Sequence, residues 1–248
     1  MHLAAYYSAA VSNVAGIHNV PSVNDGYLAN SDDGLVLPRP ALAIGSYAAA
    51  TVLNRMFFDH QTWRDIGPSE LRIVGAAITA PGSFAFNFDG HPTFQIPEGG
   101  SFKLYYERGT LGASSVLCGL MMVNGVGSRV NRPFRSIRFT TSHTSAAGVW
   151  VETVMTPAQP LPSGRYGVVG IAAIGTAGGF ARLRFKNQQN MPGCFCVNSI
   201  AATNNPFLRN TIAGMVGTFT ESTIPDVQFI SLTSGAVTYT VLLDLVKL

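Results

Sequence analysis

The stretch Val227-Gln228-Phe229-Ile230-Ser231-Leu232-Thr233-Ser234-Gly235-Ala236-Val237-Thr238-Tyr239-Thr240-Val241-Leu242-Leu243 carries no charge and is long enough to be weighed as a membrane span. Its polar residues argue against a helix. Gln228, Ser231, Thr233, Ser234, Thr238 and Thr240 interrupt the apolar ones at a spacing close to two, the habit of strands whose successive side chains point to opposite faces. The other long uncharged window, Gly109 to Ser128, is broken by Gly109, Gly112, Gly119, Gly125 and Gly127 among Ser, Thr and Asn. Neither window suits a spanning helix, and Met1 to Val20 lacks the basic start and compact apolar run of a secretory signal.

Outward from this stretch the same pattern recurs. Short apolar or alternating runs bounded by Gly, Pro, Asn or Asp occur at Tyr47 to Phe58, Glu70 to Thr79, Ser83 to Phe88, Ser101 to Glu107 and Ser115 to Val123. They continue at Ser136 to Ser142, Gly148 to Met155, Arg165 to Ile174, Phe180 to Lys186, Val227 to Ser231 and Val237 to Val246. This spacing predicts an all-β chain built as an antiparallel β-sandwich or barrel. The 26 Gly and 14 Pro, spread along the chain, disfavour long helices. In Arg182-Leu183-Arg184-Phe185-Lys186 the alternation places three cations on one face and two apolar side chains on the other, so one face is expected to meet water or a partner. The segment Gly175-Thr176-Ala177-Gly178-Gly179, between two predicted strands, reads as a hairpin loop and not a phosphate cradle.

Charge divides the chain. Residues 1–124 hold six basic and nine acidic side chains and residues 125–248 hold ten and four, so a first half of −3 precedes a second half of +6. The change falls at Asn124-Gly125-Val126-Gly127-Ser128, which marks a boundary between β-sandwiches at 41–125 and 126–248. The stretch 1–40, with turn signals at Asn24-Asp25-Gly26 and Asp32-Asp33-Gly34, reads as an N-terminal arm carrying the first strands. Such an arm is expected to be ordered by neighbouring subunits.

Motifs for catalysis are missing. The sequence contains no Gly-x-Ser-x-Gly elbow, no Walker loop and no His-Glu-x-x-His, and Gly125-Val126-Gly127 lies between predicted strands instead of opening a helix. The expectation is therefore a chain that is not an enzyme and needs no cofactor. Cys194-Phe195-Cys196 has no second ligand pair at zinc-site spacing, so it reads as two ordinary thiols. Asp25, Asp32 and Asp33, with Asn24 and Asn30, gather oxygen ligands that could hold calcium, although a pair of Asx turns explains them as well. The remaining feature is basic: Arg129, Arg132, Arg135 and Arg138 recur every third residue, followed later by Arg182 and Arg184. Thirteen of the sixteen cations are Arg, which suits planar pairing at interfaces. With no polybasic arm, no nucleic-acid-binding signature and aromatics not interleaved with the cations as in a stacking platform, sequence-specific nucleic-acid binding is not expected, and the six arginines are candidates for contacts between subunits.

Composition points the same way. Only 12% of the residues are charged, about half the share in an ordinary soluble domain, while 47% are hydrophobic. Large subunit interfaces would cover a surface so short of charge. Gly148-Val149-Trp150-Val151, the run Gln159-Pro160-Leu161-Pro162-Ser163-Gly164-Arg165-Tyr166-Gly167-Val168-Val169-Gly170, Ala181-Arg182-Leu183-Arg184-Phe185 and Met191-Pro192-Gly193 resemble the C-terminal half of coat proteins of tailless icosahedral phages. The resemblance covers about a third of the chain and rests on structural turns. It implies a jelly-roll shell subunit of a virion, with two small rolls in tandem or one roll with an extended N-terminal region, assembling with itself as trimeric capsomers and with other virion proteins. Because the net charge is only +3, an inner face toward an internal lipid membrane is expected in preference to one holding naked genome. The rival function is a carbohydrate- or receptor-binding β-sandwich of the fibre or adhesin kind.

Overall fold

A computed structural model describes residues 133–186, 215–231 and 234–248 continuously. It also describes the strands at 2–8, 16–20, 29–31, 34–36, 41–50, 55–60, 69–71, 86–87, 94–96, 101–108, 116–123, 194–199 and 210–211. Among the described residues every regular element is a strand and most pairings are antiparallel, which is the all-β class the alternation predicts. The chain divides into two compact units, Leu3–Gly125 and Val126–Leu248, the latter joined by Met1–His2.

The first unit holds two sheets. Its strands are β1 (His2–Ser8), β2 (Gly16–Val20), β3 (Ala29–Ser31), β4 (Gly34–Val36), β5 (Ala41–Ala50), β6 (Arg55–His60), β7 (Ser69–Leu71), β8 (Phe86–Asn87), β9 (Phe94–Ile96), β10 (Ser101–Arg108) and β11 (Val116–Val123). One sheet runs β1-β11-β5-β8 with β9 also on β5, and the other runs β3-β4-β10-β6-β7 with β2 also on β10. The sequence run Tyr47 to Phe58 is therefore not one strand. Its two parts belong to different sheets, β5 against β11 and β6 against β10. The stretch read as an arm contributes β1 to β4, all of which are paired.

The second unit is one ten-stranded sheet. Its strands are β12 (Arg135–Ser145), β13 (Val151–Thr153), β14 (Thr156–Pro157), β15 (Arg165–Gly175), β16 (Gly179–Arg184), β17 (Cys194–Ser199), β18 (Asn210–Thr211), β19 (Gly217–Thr220), β20 (Asp226–Ser231) and β21 (Gly235–Lys247). They run in the order β13-β20-β16-β17-β15-β21-β12-β14, with β18 and β19 also on β15. Period two sets which face is buried. On β12, Phe139, Thr141 and Ser145 point inward while Arg138, Thr140, Ser142 and Thr144 lie in solvent. On β21, Val237, Tyr239, Val241 and Leu243 point inward in the same way.

The sheet curls on itself. Phe229 of β20 and Tyr239 of β21 are separated by three strands in the sheet order, yet their rings stack with centroids 3.9 Å apart and planes 7° from parallel. At the open seam Thr141 of β12 donates to Thr153 of β13 at 3.0 Å. The two halves of the sheet thus face one another as a sandwich around a single core that includes Phe139, Leu183, Phe185, Phe229, Tyr239 and Val241. Burying each of the large ones contributes about 1.5–3 kcal/mol.

Two local readings are corrected. Gly175 to Gly179 is not a hairpin, because β17 lies between β15 and β16, parallel to the first and antiparallel to the second. The loop instead anchors to β21, with Thr176 N donating to the Thr238 carbonyl at 3.0 Å. Gly179 is required by close approach, since a Cβ there would lie 2.2 Å from the Ile230 carbonyl oxygen. The run Gly148 to Met155 is a strand only at Val151–Thr153, because Gly148 N donates to the Ser231 carbonyl before the chain crosses to its pairing with β20.

Candidate functional site

Of the six candidate arginines, Arg129 and Arg132 lie outside the described residues, as do the candidate calcium ligands Asp25, Asp32 and Asp33. Arg135 and Arg138 are both on β12 and both exposed. A spacing of three puts them on opposite faces of a strand, so they do not form one stripe. Arg138 opposes Leu242 on the outward face, whereas Arg135 reaches solvent because it begins the strand. Arg182 and Arg184 are on β16, on the far side of the sandwich.

There the register builds a polar row across three strands. Arg182 of β16 opposes Gln228 of β20, which opposes Glu152 of β13. Arg182 Nε donates to Gln228 Oε1 at 2.9 Å, Gln228 Nε2 donates to Glu152 Oε2 at 2.8 Å, and Arg184 Nη1 donates to the same carboxylate oxygen at 2.5 Å. The Arg182 guanidinium lies 3.9 Å from the centre of the Trp150 ring. Arg182 is only 2% exposed, and this corrects the expectation that the three cations of the strand share an open face. The alternation itself holds, since Leu183 and Phe185 are buried in the core and Arg184 and Lys186 are exposed. Trp150, entering just before β13, covers the guanidinium; partial desolvation strengthens such a cation–π contact. Within this row Glu152 is engaged by both Gln228 and Arg184.

Two further groups have a shaped environment. His143 stacks on Phe229 and Tyr239, each at 5.4 Å, and its two ring nitrogens are buried without hydrogen-bond partners. Burial holds its pKa below the ordinary 6.5, so the ring is neutral and has no carboxylate to orient it as a base. Tyr239 is pushed up to about 12, first by burial, with a hydrogen bond to Ser231 opposing. Glu221 fastens a turn, accepting from Gly164 N and Ser163 Oγ, each at 2.9 Å. Those hydrogen bonds, the backbone one foremost, hold its carboxyl below the usual 4.5. Among the described residues no three His, Cys, Asp or Glu side chains converge as a metal centre would require.

Sequence reasoning missed the Trp150 cover and the Gln228 link. An aromatic residue just before a short alternating run was visible, but its arginine partner lies on β16, beyond the intervening β20.

Neither a protein family nor a curated protein matches the chain. Among solved structures it is similar to the major capsid protein P2 from bacteriophage PM2, at 8% identity over 99% of this chain and 98% of that one, with a TM-score of 0.24. An overlap that low does not amount to a shared arrangement of strands.

Proposed function

We propose that the chain is a structural subunit of a virion shell, built of two small jelly rolls in tandem, that assembles with itself as trimeric capsomers. The observation that carries this reading is the shortage of charge: 12% charged residues against 47% hydrophobic, in a chain whose second unit already has a complete core. A monomer in water relies on charged side chains spread over its surface to stay soluble, and subunit contacts reduce that demand. The phage-coat resemblance at residues 148–193 supports the same reading, and the hydrogen-bonded polar row around the buried Arg182 suits a structural role better than a catalytic one. Localisation in the virion, contact with other shell proteins and an inner face toward a lipid layer follow from it.

Negative-stain imaging of the purified full chain tests the proposal. Trimers or closed shells formed without added ligand support it. A stable monomer that binds a glycan array favours the carbohydrate-binding sandwich instead.

A further inference from the structure

One end of the second unit's outward face gathers side chains that the core does not use. Here β12 and β15 begin and β21 ends. Arg135 opposes Leu245 and Gly167 opposes Val246, so Phe134, one residue before Arg135, falls beside Val246 and in the same row as Gly167. Gly167 has no side chain, and a Cβ there would lie 2.3 Å from Met215 Sδ and 3.7 Å from Leu248 Cδ1. Met215 and Leu248 therefore lie over the sheet at this glycine. Phe134 is 51% exposed, Met215 43% and Leu248 44%, with Val246 buried between them. At strand spacings of about 4.8 Å, the apolar strip spans about 10 Å across three strands.

The rim of this strip is cationic. Arg165 shares the outward face with Gly167, Arg138 stands two outward positions along β12 from Phe134, and Arg135 and Lys247, though of inward parity, are exposed where β12 begins and β21 ends. Asp244 is 3% exposed and accepts from Ser136 Oγ, leaving it no surface role, while Glu221 is held by Ser163 and Gly164. An apolar centre with a rim of arginines is the composition of an interface core, where Arg and aromatic side chains carry most of the energy. Charge identifies the occupant: residues 1–124 carry −3 and residues 125–248 carry +6, so the chain holds the complement of this surface in its own other unit.

We propose that Phe134, Met215 and Leu248, rimmed by Arg135, Arg138, Arg165 and Lys247, form the surface through which the second unit of one copy docks on the acidic first unit of another. This rests on the reading of the chain as a self-assembling subunit and adds which surface does the work. The contact is heterologous, joining two different patches. Repeated with a closing rotation it makes a ring such as a trimer, and made reciprocally between two copies it makes a two-fold dimer.

Sedimentation velocity on the full chain tests it, comparing wild type with Phe134→Asp, Met215→Asp and Arg138→Glu. Thr144→Asp, at the opposite end of β12 on the same exposed face, serves as control. All four sites are exposed, and unchanged thermal unfolding verifies the fold. The expected result is a dissociation constant raised about 10–100-fold in each patch variant, unchanged in the control, and raised by salt in the wild type. If the wild type assembles and the patch variants assemble equally well, this surface is refuted while the shell reading stands. If the wild type stays monomeric, both fall. If monomeric chain pelts down with phosphatidylserine vesicles and Phe134→Asp abolishes that, the patch is a membrane surface and the proposal is overturned.

Discussion

On the side of the second unit formed by β13, β20 and β16, Arg182 is 2% exposed, stacked on Trp150 and hydrogen-bonded to Gln228. On the side formed by β12, β21 and β15, Arg138 stands in solvent among the exposed threonines and serines of β12, four residues on from the exposed Phe134. Both arginines point away from the core on paired strands, and what separates them is what lies above. A tryptophan arriving from the next strand's approach closes the first side, while among the described residues the second carries half-exposed apolar side chains at its end. The lesson is that an outward-pointing arginine can belong to the fold as fully as a core leucine. Only its cover decides whether it is available to a partner.

The largest expected effect is on the closed side. Arg182→Ala leaves Gln228 without its guanidinium donor and Trp150 without its cation, and should lower stability by about 3 kcal/mol. A urea midpoint that falls by the corresponding amount would sharpen the contrast; a midpoint within error of wild type would erase it. Arg138→Ala, on the open side, should change stability by no more than about 0.5 kcal/mol in the same titration.

The next effect lies between the two sides, where His143 stacks on Phe229 and Tyr239. Its folded pKa is depressed below 6.5, so as the pH falls the unfolded chain takes up the proton first. Stability is thus full above pH 6.5, declines as the pH drops from there to the folded pKa, and gains no further loss from this group below it. His143→Phe keeps the stacking and removes that decline. Denaturation midpoints measured across a pH series should show a shallower acid slope in the variant, and identical slopes would contradict the assignment.

Glu221 gives the smallest effect. Its folded pKa is depressed by the Gly164 and Ser163 hydrogen bonds, so the clasp it forms is present above pH 4.5 and is lost as the pH falls through the folded value. Glu221→Gln should leave neutral-pH folding nearly unchanged and remove a small acid-side contribution, read as the difference between the two proteins' acid-unfolding curves.

β12 and the first part of β21 were legible because burial on one face imposes period two, β15 and β20 because they are short apolar runs bounded by turn residues, and all four fall on their predicted runs within a few residues. Sheet order was not. The insertion of β17 between β15 and β16 depends on pairings that local alternation does not encode, and Ser136 meets Asp244 across 108 residues of chain. The candidate surface was legible only in part. Arg135 and Arg138 were visible as cations, but a spacing of three looks like one stripe in writing and straddles two faces in a strand. Met215 and Leu248 acquire meaning only over Gly167, where the lack of a side chain lets both rest on the sheet.

The central claim is that this chain resolves its shortage of charge by association between its acidic and basic halves. Its most direct test is the solution mass of the full chain by light scattering at low and at high salt. The account predicts trimers or larger closed species at low salt, weakened as salt screens the contact. A stable monomer at both salts would contradict it.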